Sequence, residues 1–432
     1  MHLVSPRIIL TWWFLLIAWA LPAAAQDNLV PQTPKDMAQV EAYLLTVGRS
    51  TQIEALFGHT ILRVIDHSSG QDLAFNWGIF EFSGPSFVWN FYRGELTYML
   101  GIYAAPTLID FYRNVEHRSI IQQRIVLTTK QKTSLIQRLI RNAQPANLYY
   151  QYSQLRDNCA TRPRDHLDAA LGGKIAAAYQ DFQAPVTFRH HIKASSSPVW
   201  WVDLGLDMIS NDVLDRPLSS WQEMFLPRRL QQLLEQLPAF DDSGTPIPGQ
   251  TLLTDPVWLV NDPEPMPAPN AHAMWSLFCG VPLSLLLLAV WRRPGTRRSA
   301  RLLGVASLVY GLWSAFWASV LICNWLLSRY IETKHNALLW LFWPVDWLYV
   351  LYGIKLIMRS SLPVQYSLLG GVIGKLSMLH LAAGGTAALL WTTSVMHQDI
   401  LPMLASYGVF GGLLFVTVSC HGAALGGRSD DA

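Results

Sequence analysis

Cys159 is the residue in this chain best placed to do chemistry. It lies in the stretch Gln154-Leu155-Arg156-Asp157-Asn158-Cys159-Ala160-Thr161-Arg162. The chain has four cysteines, and Cys279, Cys323 and Cys420 all fall in long apolar runs that read as membrane spans. Cys159 is therefore the only thiol in a region expected to be exported. An exported thiol without a partner is either joined to another chain or a reactive nucleophile. A small buried core side chain is the plain alternative. Pro163 limits where a following helix can begin, because proline is tolerated only in the first turn. Cys159 is thus expected at or just before a helix start, where free N–H groups and the helix dipole favour a thiolate. Arg162 and Arg164 add positive charge nearby.

A thiol nucleophile needs a base, most often histidine. The candidates are His59, His67, His117, His166, His190 and His191. His59 follows Gly58 at the expected start of a strand, a rigid platform for a catalytic side chain, although an isolated histidine there also fits the edge of a core. His67 sits in a turn and reads as solvated. His166 lies on the same helix as Cys159, about two turns on. No paired Cys/His spacing of the zinc type is present, so neither a metal nor another cofactor is expected.

The elements that must position these groups read as α+β. Asp36 to Val47 is predicted helical. His59–Asp66 and Leu73–Phe80 are predicted strands joined by the turn Asp66-His67-Ser68-Ser69-Gly70. Glu95–Tyr103 and Ser119–Leu127 are further strands, and Leu108–Glu116 is a helix. Lys130–Asn142 carries Leu135, Ile136, Leu139 and Ile140 at helical spacing. The helix after Cys159 should run to Leu171 and stop at Gly172-Gly173.

Arg7, the apolar run Ile8–Leu21 and Ala23-Ala24-Ala25 have the layout of a secretory signal peptide cleaved after Ala25, making residues 1–25 the leader. Residues 26–265 read as one extracytoplasmic domain. A Pro-rich linker follows, Asp262 to Asn270, with 266–274 leading into a membrane domain at 275–425. Five spans are expected: Trp275–Trp291, Leu302–Trp325, Ala337–Met358, Leu376–Thr393 and Ile400–Cys420. Arg292, Arg293, Arg297, Arg298 and Arg301 between the first two, and Arg359 and Lys375 between the third and fourth, mark those loops as cytoplasmic. The soluble domain then lies outside, in agreement with the leader. A net charge of +2, with no basic stripe in the soluble part, gives no reason to expect nucleic acid.

Several segments resemble the Lnb-type lipoprotein N-acyltransferase family. They are Leu56-Phe57-Gly58-His59-Thr60-Ile61-Leu62-Arg63; Phe75-Asn76-Trp77-Gly78-Ile79-Phe80 with Phe87, Phe91, Gly94, Glu95, Leu96 and Tyr98; Asp157-Asn158-Cys159-Ala160-Thr161-Arg162; and Asp215-Arg216 with Met224-Phe225-Leu226-Pro227. Glu332-Thr333-Lys334-His335-Asn336 and Trp343-Pro344-Val345-Asp346 add to it. The order of histidine, strands, then cysteine at a helix start is similar to the circularly permuted, NlpC-type papain-like fold. Pro163 departs from the pattern, since a helix former would be more natural there.

The resemblance implies ping-pong acyl transfer in a bacterial inner membrane, with the N-terminal domain facing the periplasm. His59 would deprotonate Cys159, which would take an acyl chain from a phospholipid and pass it to the α-amine of a lipoprotein. Such chemistry needs an oxyanion hole and a third group to orient the histidine. The Cys159 backbone N–H, Asn158 and Arg162 are candidates for the first, and Asn76 for the second. An ordinary strand polar residue is an equal reading of Asn76.

The site would have to sit at the bilayer surface. Trp200-Trp201 and Phe225-Leu226 could seat it there, core packing being the other reading and the better one for Trp201. Lys334, His335 and Asn336, at an outer span end, could meet a lipid head group or simply form a solvated loop. Asp346 and His380 are ionisable groups within expected spans. A membrane-tethered cysteine hydrolase, either a cell-wall peptidase or a phospholipase, would use the same Cys159 and His59. A non-enzymatic scaffold would need neither.

Overall fold

Val40, Ala42 and Leu44 bury their side chains on one side of the backbone, and Leu45 and Val47 bury theirs on the other. This two-sided burial makes Val40–Val47 (β1) a strand, where helix was expected over Asp36–Val47. A strand covered on both faces reads as a near-continuous apolar run, and the period-2 signal is lost. Only Met37–Gln39 is helical, as a single 3₁₀ turn.

The structure, a computed structural model, describes residues 29–80, 89–90, 92–268, 280–292, 296–358, 368–400 and 403–404. The leader at 1–25, Phe87, Phe91, Asn270, Cys279, Arg293, Arg359 and Cys420 lie outside the described residues, as do the start of the first expected span and most of the last.

The chain forms two compact units. The first comprises residues up to Ser50, Gly58–Phe182 and Ser219–Glu264. Its centre is a seven-stranded antiparallel sheet. The strands are β1, His59–Asp66 (β2), Gln71–Ile79 (β3), Thr97–Ala104 (β4), Ile120–Arg124 (β5), Tyr149–Gln151 (β6) and Val257–Val260 (β7), in the order β7-β5-β1-β2-β3-β4-β6. The β2–β3 hairpin closes at Asp66, whose carboxylate accepts from the Ser68 N–H and from the Ser68 and Ser69 hydroxyls, while Gly70 takes φ +73°.

Ala105–Asn114 (α1) covers one face of the sheet with Ile109 and Tyr112. Thr129–Asn142 (α2) and Thr161–Ala170 (α3) contribute Leu135, Leu139 and Leu167 to the core on the other face. Thr128 and Gln131 form a capping box at the start of α2. After α3 the chain turns through Gly172 and Gly173, both at positive φ.

The second unit comprises Thr51–Phe57, Gln183–Leu218 and Pro265 onward. This differs from a single domain over 26–265. Leu204 and Met208 of the helix Trp200–Ile209 share an apolar cluster with Leu287, Leu303, Leu321 and Leu341, which draws Gln183–Leu218 into the helical unit.

Among the described residues, two helices, Arg297–Leu327 and Leu369–Thr392, are long and apolar enough to cross a membrane. A third candidate is broken: Ile331–Trp340 and Pro344–Met358 meet at a bend of 54°. The expected span Ala337–Met358 is therefore not one straight helix. Pro344 lacks the N–H that would continue it, and the Asp346 carboxylate caps the new start by accepting from the Trp343 N–H at 3.1 Å. Val281–Val290 is a shorter apolar helix. Glycines let two of these helices touch: a Cβ on Gly304 would lie 2.9 Å from the Gly353 carbonyl, and one on Gly353 would lie 2.5 Å from that of Gly304.

Candidate active site

The ladder between β2 and β3 runs from Asp66↔Gln71 to Leu62↔Phe75 and stops. The end of the hairpin that carries His59, Asn76 and Gly78 is left unpaired between these strands. On the other side of β3 the register with β4 shifts between Trp77 and Ile79, around Gly78 at φ +103°. A β-bulge of this kind re-aims side chains at the end of a strand. Cys159 enters the same space from the turn before α3. A Cβ placed on Gly78 would lie 3.8 Å from the Cys159 Cβ and 3.9 Å from the His59 Cε1. The thiol and the imidazole thus flank a single point, and glycine at that point keeps the space open.

The His59 Nε2 lies 2.5 Å from the Asn76 Oδ1. A carbonyl oxygen only accepts, so Nε2 donates and Nδ1 is left as the ring's basic nitrogen. Asn76 is 3 % exposed. The His59 ring also faces Tyr112, at 6.4 Å between centroids.

Cys159 is held by the segment before α3. The Asn158 Oδ1 accepts from the Ala160 and Thr161 N–H groups, which ties the turn to the start of α3. The Asn158 Nδ2 donates to the Gln154 and Phe225 carbonyls. Arg162 holds Asp157 through Nε and Nη2 at 2.5 and 2.6 Å and lays its guanidinium 4.1 Å from the Tyr150 ring centroid. Both side chains expected as oxyanion donors are therefore committed to building the turn. Pro163 fits within the first helical turn, at its third residue.

The protonation of the pair differs from expectation. Burial pushes the Cys159 thiol up to about 11, against the opposing pull of the Thr60 backbone N–H, the Arg118 charge and its own N–H. Burial likewise pushes His59 down to about 4, with the Asn76 hydrogen bond opposing and Arg118 assisting. Desolvation disfavours both charged forms more than the helix start favours the thiolate. Near neutral pH the pair rests as thiol and neutral imidazole.

Two other histidines of this unit bond elsewhere. His67 pairs with Glu41 at the surface. His166 meets the Asn142 Oδ1 at 3.1 Å and packs on Trp77. His190 and His191 belong to the second unit.

Sequence reasoning missed Arg118 and Tyr150. Arg118 is 5 % exposed, donates to the Gly48 carbonyl and Glu116, and lies 5.3 Å from the Tyr112 ring centroid. Its only signal was its place two residues before the strand β5. Tyr150 had no comparable signal in an aromatic-rich stretch.

In the second unit Asn336 is buried. Its amide donates to the Met208 and Ser210 carbonyls and accepts from the Leu338 N–H and the Gln398 Nε2. It is an interior clamp with nothing left for a head group. His335 is exposed at φ +49°, stands 4.7 Å from the Trp325 ring, and helps line a cavity of about 390 Å³ with Trp340 and Trp343. The Lys334 backbone carbonyl accepts from Asn211. Asp346 and His380 are both fully buried and joined at 2.7 Å, with Ser314 donating to the same carboxylate. Phe225 and Leu226 are buried, whereas Trp200 and Trp201 are exposed, the reverse of the core role expected for Trp201.

The fold and site together define an α+β domain with a paired cysteine and histidine, in a chain that also carries membrane-type helices. Residues 31–194 match the family model of the Lnb N-terminal periplasmic domain. The chain is a membrane protein with a periplasmic N-terminal domain. No curated protein and no solved structure matches it.

Proposed function

We propose that this chain is a membrane-bound thiol acyltransferase. It moves a fatty acyl chain from a phospholipid, through a thioester on Cys159, to the α-amine of a lipoprotein's N-terminal cysteine. The observation that carries the reading is the meeting of Cys159 and His59 around Gly78, with His59 oriented by Asn76. As sulfur attacks the ester carbonyl, the thiol proton passes to the His59 Nδ1. The tetrahedral intermediate collapses, the C–O bond breaks, and the lysolipid oxygen takes that proton. The acceptor amine then attacks the thioester, His59 removes its proton, and the thiol is restored. A neutral resting pair suits this concerted transfer. The Lnb N-terminal periplasmic domain match supports the reading, because both substrates stay in the bilayer. With it go a permuted papain-like arrangement of the sheet domain, a leader cleaved after Ala25, and five spans in an inner membrane. Lys334 and His335 are head-group contacts in this account.

The test is mass spectrometry of lipoprotein N-termini from cells carrying wild type, Cys159→Ala or Cys159→Ser. Wild type should yield N-acylated termini and both variants none, at equal protein levels. N-acylation by Cys159→Ala would overturn the mechanism. Free fatty acid from phospholipid, without N-acylation, would assign a hydrolase instead.

A further inference from the structure

Resting on the acyl-transfer reading for what the lipid is used for, we propose that the tryptophan-walled cavity of the second unit seats one acyl chain of a phospholipid, with the phosphate at His335 and Lys334. Trp325, Leu339, Trp340, Trp343 and Ala383 line the cavity, and His335 and Asn336 are the polar side chains of its described lining. Its volume of about 390 Å³ and its aromatic walls with few polar groups are those of a ligand pocket.

The cavity lies at the break in the third candidate span. Non-helical backbone at membrane depth persists only where protein buries it or where it lines a cavity. Trp340 and Trp343 flank the bend between Ile331–Trp340 and Pro344–Met358. Asp346 accepts from the Trp343 N–H and the Ser314 hydroxyl and lies 2.7 Å from His380. Ser314 belongs to Arg297–Leu327 and His380 to Leu369–Thr392, so the carboxylate ties the break to both long helices. His380 also stacks on the Trp343 ring, with 4.0 Å between centroids. Trp343 is thus a braced wall. Ala383 lies one turn beyond His380 on the same helix, and its small side chain leaves the space beside that wall open. Ionisable groups buried in a membrane are costly; here they frame the cavity.

Water is a poor occupant. About a dozen molecules at ~30 Å³ each would fill the volume, and the walls offer them few partners. Asn336 is committed to Met208, Ser210, Leu338 and Gln398. Trp325 and Trp340 are each 42 % exposed, so the cavity opens outward from the helical unit, where a membrane protein meets lipid. Hydrocarbon fills such a space through dispersion contacts with the rings. The polar end has the charge to match a phosphate. The Ser328–Asn336 loop holds Arg329, Lys334 and His335 against one acidic residue, Glu332. His335 is held against Trp325 at φ +49°, a conformation that costs a non-glycine residue energy and is kept where function needs it. A phospholipid supplies both chain and phosphate, whereas a diacylglyceryl lipoprotein supplies the chain alone.

The test is photocrosslinking of the full-length protein in phosphatidylethanolamine vesicles. They contain a phosphatidylethanolamine probe with a diazirine near the end of one acyl chain, and adducts are mapped by mass spectrometry. Because a pocket encloses about 70–90 % of its ligand, adducts on Trp340, Trp343 and Ala383 should outnumber those on Leu379 and Leu389 about fivefold. Those two leucines are exposed on the helix that carries Ala383. Ala383→Trp, which puts an indole in the cavity, should remove the excess, and Ala383→Leu should reduce it. Leu379→Trp, at an exposed position, should leave it unchanged. Equal labelling of cavity and exposed residues in the wild type overturns the proposal, and that result needs no variant to fold. Retained labelling in folded Ala383→Trp protein overturns it as well. The phosphate is read with a diacylglycerol probe of the same chain. Wild type should prefer the phospholipid probe, and the double variant Lys334→Ala, His335→Ala should lose the preference. No preference in the wild type, or equal cavity labelling by a diazirine-bearing diacylglyceryl lipopeptide, overturns the choice of phospholipid. Cavity labelling should persist in Cys159→Ala, which separates the two readings. N-acylation by Cys159→Ala rejects the acyl-transfer mechanism, and loss of cavity labelling from otherwise active wild type rejects the cavity alone.

Discussion

The protonation state of Cys159 gives the most quantitative prediction. With the thiol pushed up to about 11, roughly one molecule in ten thousand carries the thiolate at pH 7. Free cysteine, near 8.5, carries about three in a hundred. Alkylation by iodoacetamide needs the thiolate, so Cys159 in the folded protein should react about 300-fold more slowly than the same peptide after unfolding in SDS. Its log rate should climb by about one per pH unit from pH 6 to 9.5, with no plateau. Modification is read by mass spectrometry of the Cys159 peptide, taken from full-length protein held in mild detergent. Arg118→Met should slow the reaction further, because it removes a positive charge that stabilises the thiolate. A plateau with an apparent pKa at or below about 8.5 would refute the reasoning. It would mean that the helix start, the Thr60 N–H and Arg118 together outweigh burial, and that the pair rests as an ion pair.

Asn76→Ala leaves the His59 Nε2–H without its acceptor. It should lower kcat by about 10²-fold, with a stability loss of about 1–3 kcal/mol seen in thermal unfolding; Asn76→Asp, which keeps an acceptor, should retain more activity than Ala. His59 and His166 are both pushed by burial from about 6.5 to about 4. A folded pKa below the unfolded one gives stability that is fully present above about pH 6.5 and lost as pH falls toward about 4, at most ~3 kcal/mol for each histidine. The melting temperature in detergent should therefore drop between pH 7 and pH 4.5. His166→Gln should reduce that drop, and a pH-independent melting temperature across this window would contradict the burial assigned to both rings.

What was legible in the sequence were features with local causes. The β2–β3 hairpin showed because Asp66 and Gly70 carry turn chemistry between two β-rich runs. Helix α3 showed because Pro163 and Gly172-Gly173 bracket it. Strand β1 did not show, because its burial on both sides is a property of the sheet, where β2 and β5 flank it. The Asn76–His59 contact required only neighbouring strands. The roles of Asn158 and Arg162 could not be read, since their partners are fixed by the turn geometry around Cys159 and, for Asn158, by the Phe225 carbonyl across 67 residues of chain. The thiol's protonation failed for the same reason: a helix start is visible in sequence, but the degree of desolvation is not. The break at Pro344 was foreshadowed by the proline itself, whereas the way Asp346 bridges Trp343, Ser314 and His380 depends on tertiary packing.

Burial of Cys159 also answers a difficulty that its compartment creates. A periplasmic domain lies where thiols are readily oxidised, and oxidation proceeds through the thiolate. A reactive cysteine with a permanently low pKa would be exposed to that loss, and none of the other cysteines falls in this domain to form a resolving disulfide. Held as a neutral thiol beside a neutral imidazole, Cys159 is protected by the same desolvation that weakens it as a free nucleophile. Reactivity must then come with the substrate. In the proposed transfer, an acyl ester bound against Gly78 would bring the electrophile to sulfur and let the proton pass to the His59 Nδ1 in the same step. On this account the enzyme is switched on by its donor, and the order of events in ping-pong transfer follows from the resting state of the site.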